Sequence, residues 1–214
     1  MSIKHRILVS ASIALMMASR FTAAQVDPSP PQQGITAQSV QTCPTCGVPE
    51  DSVYQLQSAF TDQDSRQFVL ADRRGKVQLV AMFYSSCKYV CPLIINSARG
   101  VQKALRATER SKLQILLVSF DTRRDTPKQL KATASAHQLD LNFWTLARTE
   151  RKAVRTLAAL LGVRYRELPD GEFNHTSQLV LLDEQGRIIA RTEKMTPIPD
   201  AEFLAKVQDA LLKR

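Results

Sequence analysis

The stretch FYSSCKYVCPLIINSARG, residues 83–100, decides the fold of this chain and raises the question of its chemistry. Its two cysteines, Cys87 and Cys91, are four residues apart. A continuous apolar run precedes them and is typical of a strand buried on both faces. We predict a helix after them that begins at Pro92. Backbone N–H groups in the first turn of a helix have no partner within the helix, so the N–H that proline lacks is not missed there. The pair can bind a metal, act as a redox dithiol or form a structural bridge, which would close a short loop and add little stability.

The elements around this stretch alternate between strand and helix patterns. The predicted strands are Val77–Tyr84, Leu113–Phe120, Asn142–Thr145, His175–Leu182 and Arg187–Arg191. The predicted helices run from Pro92 to about Thr108, from Pro127 to about Gln138, over Glu150–Leu161 and over Ala201–Leu212. This order predicts an α/β protein with a thioredoxin-like fold, in which helices flank a central mixed β-sheet.

In such a fold, Cys87 and Cys91 lie in the turn after a central strand, where a helix begins. The helix dipole and unpaired N–H groups favour thiolates there, so we expect lowered thiol pKa values. Two soft thiolates select copper(I), zinc or related ions, and histidine is the usual further ligand. His175 is the candidate, since a late strand end should lie near the cysteine turn. The alternative is that His175 faces solvent at the start of a strand.

The first 24 residues have the features of a signal peptide. A short basic head precedes an apolar run at residues 7–19, which is too short for a standard membrane-spanning helix. Small residues precede a predicted cleavage position after Ala24. We therefore predict an exported, periplasmic protein, and an uncleaved anchor in the inner membrane is the alternative.

Residues 25–50 are rich in proline, glutamine and serine, which predicts a tether before a compact domain at residues 51–214. The tether contains a second pair, Cys43 and Cys46, without a flanking strand and helix. Three roles stay open for it: a flexible oxidised pair, an auxiliary copper-holding pair, or a dithiol that exchanges with the first pair.

The formal net charge is +9 at pH 7. It favours an acidic or anionic partner, or it is the ordinary surface of a mildly basic soluble protein. Nucleic acid is a poor candidate partner, because the protein is predicted to be exported and only 6% of its residues are aromatic.

Three segments together resemble the Sco/SenC family of copper-binding proteins of cytochrome oxidase assembly. They are FYSSCKYVCP, VSFDTRRDTPKQLKATA and FNHTSQLVLLDEQGRI, in that order, and the resemblance covers about Gln55 to the C-terminus. The resemblance implies a thioredoxin-like fold. It also implies that Cys87, Cys91 and His175 are copper ligands.

The chain departs from the family pattern at two places. Lys88 and Tyr89 stand where the family usually has proline and aspartate between the cysteines. The positive charge of Lys88 should favour the thiolate form of the neighbouring cysteines. Tyr89 lacks the carboxylate of the aspartate that it replaces, a group that could tune the copper affinity of the site. The second departure, at Thr122 after Asp121, falls in a predicted loop and should affect local stiffness rather than ligation.

Two functions are consistent with these features of the sequence. The first, which the resemblance implies, is a copper chaperone that binds one copper ion and delivers it to an apo cytochrome oxidase copper subunit or another copper protein. The second is a thiol–disulfide oxidoreductase, in which Cys87 attacks a partner disulfide and Cys91 resolves it. Nothing in the local sequence indicates the peroxide pocket of a thiol peroxidase. We expect a monomer without a nucleic-acid partner, and membrane contact only through an uncleaved leader.

Overall fold

The computed structural model describes residues 47–212 of the chain. Within this part, nine strands and five α-helices follow one another, with two short 3-10 turns near the start. The strands are β1 (Phe60–Asp62), β2 (Gln67–Phe68), β3 (Val77–Phe83), β4 (Leu113–Ser119), β5 (Trp144–Thr149), β6 (Tyr165–Glu167), β7 (Phe173–His175), β8 (Leu179–Leu182) and β9 (Ile188–Thr192). The helices are α1 (Val90–Ala104), α2 (Ala107–Arg110), α3 (Pro127–Ala136), α4 (Arg151–Leu161) and α5 (Ala201–Leu212).

Seven strands form one mixed sheet in the order β2-β1-β5-β4-β3-β8-β9, and β6 and β7 form a separate hairpin. The strands β3, β4 and β5 are parallel, whereas β8 joins β3 in the antiparallel sense. Helices connect the parallel strands, because such strands need a crossover connection. The predicted thioredoxin-like fold, with a central mixed sheet flanked by helices, is confirmed.

The centre of the sheet consists of β3 and β4, because apolar side chains dominate both of their faces. All seven residues of β3 are buried, and so are six of the seven in β4. The two strands pair in register from Val77 opposite Leu113 to Phe83 opposite Ser119. The loops that follow them therefore lie side by side at one edge, where the cysteines are found.

The helix after the cysteines begins earlier than predicted. It starts at Val90, two residues before Pro92, so Cys91 lies in its first turn. It also ends earlier than predicted, at Ala104, because Leu105 adopts extended backbone and buries its side chain in the core. The early start places both cysteines around the beginning of one helix.

The prediction of one strand over His175–Leu182 is wrong. His175 is the last residue of β7 in the separate hairpin, and the main sheet resumes only with β8. The buried Gln178 side chain between them donates to the Leu161 carbonyl at the end of α4 (2.7 Å). This bond holds the segment away from the sheet, so His175 ends a hairpin strand rather than beginning a central one.

Two further differences concern the strands β1, β2 and β5. The hairpin of β1 and β2 was not predicted, since its strands are only three and two residues long. The strand β5 runs over Trp144–Thr149 instead of the predicted Asn142–Thr145. The predicted end of α4 is confirmed, because Gly162 adopts the left-handed conformation with φ 77°.

The predicted signal peptide and most of the predicted tether lie outside the described residues, and Cys43 and Cys46 lie there too. The domain boundary at residue 51 stays a prediction. Within residues 47–212, no helix combines the length and the apolar character that crossing a bilayer requires.

Candidate metal centre

The turn between β3 and α1 is held by hydrogen bonds to the cysteine sulfurs. The Cys91 N–H donates to Cys87 Sγ at 3.4 Å, and the Tyr84 N–H donates to Cys91 Sγ at 3.4 Å. The Cys87 N–H in turn donates to the Tyr84 carbonyl at 3.3 Å. The backbone therefore points N–H groups at both sulfurs, and both thiols are free in this structure.

A buried carboxylate fixes this turn to the loop after β4. Asp125 is only 1% exposed. Its oxygens accept hydrogen bonds from the Ser85 N–H (3.0 Å) and from the hydroxyls of Ser85 and Ser119. The sequence does not indicate this role, because carboxylates are usually exposed. The cap is Thr126, whose hydroxyl accepts from the Gln129 N–H.

His175 reaches the site from β7 through an aromatic cluster. Its ring centroid lies 5.0 Å from that of Phe120 and 5.9 Å from that of Tyr84. Its Nδ1 lies 3.1 Å from the Thr176 carbonyl oxygen. A hydrogen bond from Nδ1–H to that oxygen leaves Nε2 as the free lone pair, which is how metal-binding histidines are commonly oriented. Burial lowers the pKa of His175 and so favours the neutral imidazole that a metal needs.

The structure brings the three predicted residues together. Ligand atoms of Cys87, Cys91 and His175 all lie within 4.8 Å of one another. Donor atoms bound to one metal at roughly 2.0–2.3 Å lie up to about 4.6 Å apart, so small shifts suffice to close the site. His137 caps the end of α3 and does not join this group, while His5 lies outside the described residues.

The two thiols differ in pKa, contrary to the expectation that both would be lowered. Burial alone would raise the pKa of Cys87, but hydrogen bonds from the N–H groups of Cys91 and Tyr89 and from the Cys91 thiol lower it overall. Burial raises the pKa of Cys91, which is only 3% exposed. The hydrogen bonds account for the thiolate character of Cys87, and Lys88 is not among its main causes.

A second set of contacts fixes the turn of the β6–β7 hairpin. The Tyr84 hydroxyl donates to the Glu172 carboxylate at 2.9 Å. The Arg124 guanidinium lies 3.6 Å from Glu172, pairs with the buried Asp121 and donates to the Gly171 carbonyl at 2.6 Å. These contacts join the cysteine turn, the loop after β4 and the histidine hairpin. The sequence contains no local signal for them, because their partners are far apart in the chain.

We predict that an alkylating reagent distinguishes the two thiols. In a Cys43→Ser/Cys46→Ser background, iodoacetamide should modify Cys87 at least about tenfold faster than Cys91, because the thiolate is the reacting species and Cys91 is buried. The rate at Cys87 should fall only when the pH drops below its lowered pKa. Mass spectrometry of proteolytic peptides over a pH series measures both rates. Equal rates at the two cysteines would contradict the hydrogen-bond pattern described above.

A thioredoxin-like sheet with two cysteines and a histidine meeting at the edge of its central strands defines a class of thiol-containing metal-binding proteins. The family model described as SCO1/SenC matches residues 49–212. The chain therefore belongs to the SCO1/SenC family, as its motifs indicated.

Individual relatives agree with this assignment. The SCO1 protein homolog of Bacillus subtilis is 25% identical over 159 residues, which are 71% of this chain and 79% of that protein. The structure of Bradyrhizobium japonicum ScoI with copper bound has a TM-score of 0.60 at 24% identity, covering 72% of this chain and 96% of that one. The structure of yeast Sco1 with copper bound has a TM-score of 0.58 at 17% identity, covering 73% and 87%. The two structures share the fold of this chain, and both hold copper.

Proposed function

We propose that this protein is a copper carrier that holds one copper(I) ion and passes it to an apo copper protein. One observation carries the proposal: ligand atoms of Cys87, Cys91 and His175 lie within 4.8 Å of one another. The copper is cargo, so the site must bind it firmly and still let a partner reach it.

The donor set fits copper(I) because it combines two sulfur atoms with one imidazole nitrogen. Soft thiolates select copper(I), zinc and related ions, while imidazole suits copper as well as zinc. The copper held by the related ScoI and Sco1 proteins supports copper as the cargo here. Because Cys91 has a raised pKa, binding must displace its proton to the solvent, and Cys87 has the greater share of thiolate beforehand.

The exposed surface around Cys87 suits the transfer of copper to another protein. Cys87 is only half-buried, so an incoming ligand can approach its sulfur. Three apolar side chains are exposed beside it: Tyr89 at 83%, Leu93 at 45% and Val90 at 37%. A cluster of exposed large apolar residues marks a contact surface for another molecule. A partner bound there could offer its own ligands to copper while the contact excludes water.

The recipient that the family points to is the copper site of an apo cytochrome oxidase subunit. A further relative of solved structure, BsSco, is a member of the Sco family of cytochrome c oxidase assembly proteins. We place the working domain in the periplasm, because the first 24 residues resemble a signal peptide. The tether would let the domain reach its recipient even if the leader stays in the membrane.

Copper transfer from the full chain tests this function. The chain, loaded with one equivalent of copper(I) without oxygen, is mixed with the apo copper domain of an oxidase subunit, and copper in each protein is measured after separation. We expect transfer from the wild type and from the Cys43→Ser/Cys46→Ser variant. The Cys87→Ser/Cys91→Ser variant, made in the same Cys43→Ser/Cys46→Ser background, should not retain the copper at all. Copper that depends only on Cys43 and Cys46 would contradict the proposal.

One observation also favours a thiol–disulfide oxidoreductase: an accessible thiol of lowered pKa lies beside a buried one. The Cys87 thiolate would attack a partner disulfide and release one partner thiolate. The Cys91 thiolate would then displace the second, leaving a Cys87–Cys91 disulfide and a reduced partner. A further dithiol would have to reduce that disulfide. The His175→Ala variant separates the two functions, since it should weaken copper(I) binding more than about 100-fold and leave the rate of disulfide reduction unchanged.

A further inference from the structure

Two neighbouring cavities lie near His175, one lined by its side chain and the other by Phe120, whose ring contacts it. The larger, about 310 Å³, is lined by His175 itself. The other, about 280 Å³, extends toward α4. Tyr165 and Arg166 line both cavities, so the two cavities lie next to each other, and we call the pair of them the arginine groove.

The charge of the arginine groove is strongly unbalanced. Its lining contains five arginines and two acids. The acids are already paired, since Asp121 pairs with Arg124 and Glu167 pairs with Arg123. The other arginines have no ion pair within the part of the chain that the structure describes. They are Arg151, Arg155, Arg164 and Arg166.

The spacing of these four arginines places them in two rows. Arg151 and Arg155 are four residues apart on α4, so they share one face of the helix. Arg164 and Arg166 are two residues apart at β6, so they share one face of the strand. All four are exposed. Two rows of cations along a groove suit several carboxylates on one chain better than a single small anion.

The floor of the groove connects the arginines to the metal site. Phe120, Tyr165 and Phe173 line the cavity of about 280 Å³, and the rings of Phe120 and Tyr165 stack at 4.8 Å. Phe120 also contacts the His175 ring at 5.0 Å. A chain that lies in this cavity would thus contact aromatic rings that pack next to the imidazole.

We propose that the arginine groove binds an acidic segment of the protein that receives the metal. The inference rests on the proposed carrier function and adds to it the chemistry of the partner. Four arginines without ion pairs attract carboxylates and accelerate the encounter of oppositely charged surfaces. Their position beside His175 would orient the recipient so that its ligands reach the copper. A second copy of this chain is a poor occupant, since the formal charge of each copy is +9.

The test uses the full chain with two arginines reversed in charge, Arg155→Glu/Arg166→Glu. The matched control is Lys76→Glu/Lys206→Glu, which makes the same change of charge at exposed residues elsewhere. Lys76 precedes β3, whereas Cys87 follows its other end. A seven-residue strand spans roughly 23 Å, so the control lies about two Debye lengths away at 0.1 M salt.

We expect the arginine variant to transfer copper(I) to the apo oxidase copper domain about tenfold more slowly at low salt, with a smaller difference at high salt. Its copper affinity should equal that of the wild type, and the lysine variant should transfer normally. An equal loss in both variants would mean that only net charge matters, and no loss in the arginine variant would also overturn the proposal.

A second experiment tests peptide binding in the arginine groove independently of copper transfer, so it still applies if the protein is not a copper carrier. A fluorescent peptide of alternating glutamate and alanine is titrated into each full-length variant, and its anisotropy is followed. The wild type and the lysine variant should bind it, and the arginine variant should bind at least about tenfold more weakly. If the peptide does not bind the wild type, the proposal fails. It also fails if inorganic phosphate or an oligonucleotide binds in an Arg155- and Arg166-dependent way and the peptide does not.

Discussion

The His175→Ala variant is expected to bind copper(I) more than about 100-fold more weakly than the wild type. Loss of a group that only orients a ligand typically weakens metal binding by about 10–100-fold, so loss of the ligand itself should exceed that range. The remaining cysteines would hold copper as a two-coordinate pair. Competition titration with a copper(I)-specific chromophoric chelator measures the difference. The titration is made in the Cys43→Ser/Cys46→Ser background, so that the tether pair cannot compensate.

The matched control is His137→Ala, because His137 is the only other histidine among the described residues and is also partly buried. It caps α3 and does not join the cysteine group. Its loss should leave the copper affinity within about twofold, as expected for a substitution away from the site. If His175→Ala and His137→Ala bind copper equally well, His175 is not a ligand and the three-ligand site is wrong.

The Asp125→Ala variant is expected to lower the free energy of unfolding by about 3 kcal/mol. Loss of the Asp125 carboxylate would leave the Ser85 N–H and the hydroxyls of Ser85 and Ser119 without their acceptor. Each unsatisfied buried group costs about 1–3 kcal/mol. Relaxation and water entry would recover part of that sum. Urea unfolding followed by circular dichroism measures the change.

The same variant should also loosen the cysteine turn, since Ser85 immediately precedes the segment that carries Cys87. We expect copper affinity to fall about tenfold, the lower end of the effect of losing an orienting group. Asp209→Ala, at an exposed position of α5, is the control and should change stability by less than about 0.5 kcal/mol. A loss of stability at Asp125→Ala no larger than at Asp209→Ala would show that the carboxylate does not anchor the turn.

Much of the fold was predictable because its signals are local. The apolar runs of β3 and β4, the proline near the start of α1 and the glycine that ends α4 each act through neighbours in the chain. The hairpin of β6 and β7 has no such signal, since its strands are three residues long and one of them was merged with β8. The break between β7 and β8 depends on the hydrogen bond from the Gln178 side chain to the Leu161 carbonyl, which only the folded chain forms.

The residues of the candidate site were predictable from the sequence, but the pKa shifts of its two thiols were not. The spacing of Cys87 and Cys91 indicated soft-metal or redox chemistry, and the family motifs pointed to His175. The opposite pKa shifts of the two thiols depend on how deeply each is buried. The position of both cysteines at the start of a helix does not reveal this difference in burial. The anchoring role of Asp125 was missed for the same reason, because nothing near it in the sequence shows that its carboxylate is buried.

The most direct test of the three-ligand site is X-ray absorption at the copper edge of the copper(I)-loaded full chain. The Cys43→Ser/Cys46→Ser variant is used, so that Cys87 and Cys91 are the only cysteines left. We predict two sulfur scatterers and one nitrogen, with outer-shell imidazole scattering that disappears in His175→Ala. A spectrum with sulfur alone, or imidazole scattering that persists in His175→Ala, would contradict the site formed by Cys87, Cys91 and His175.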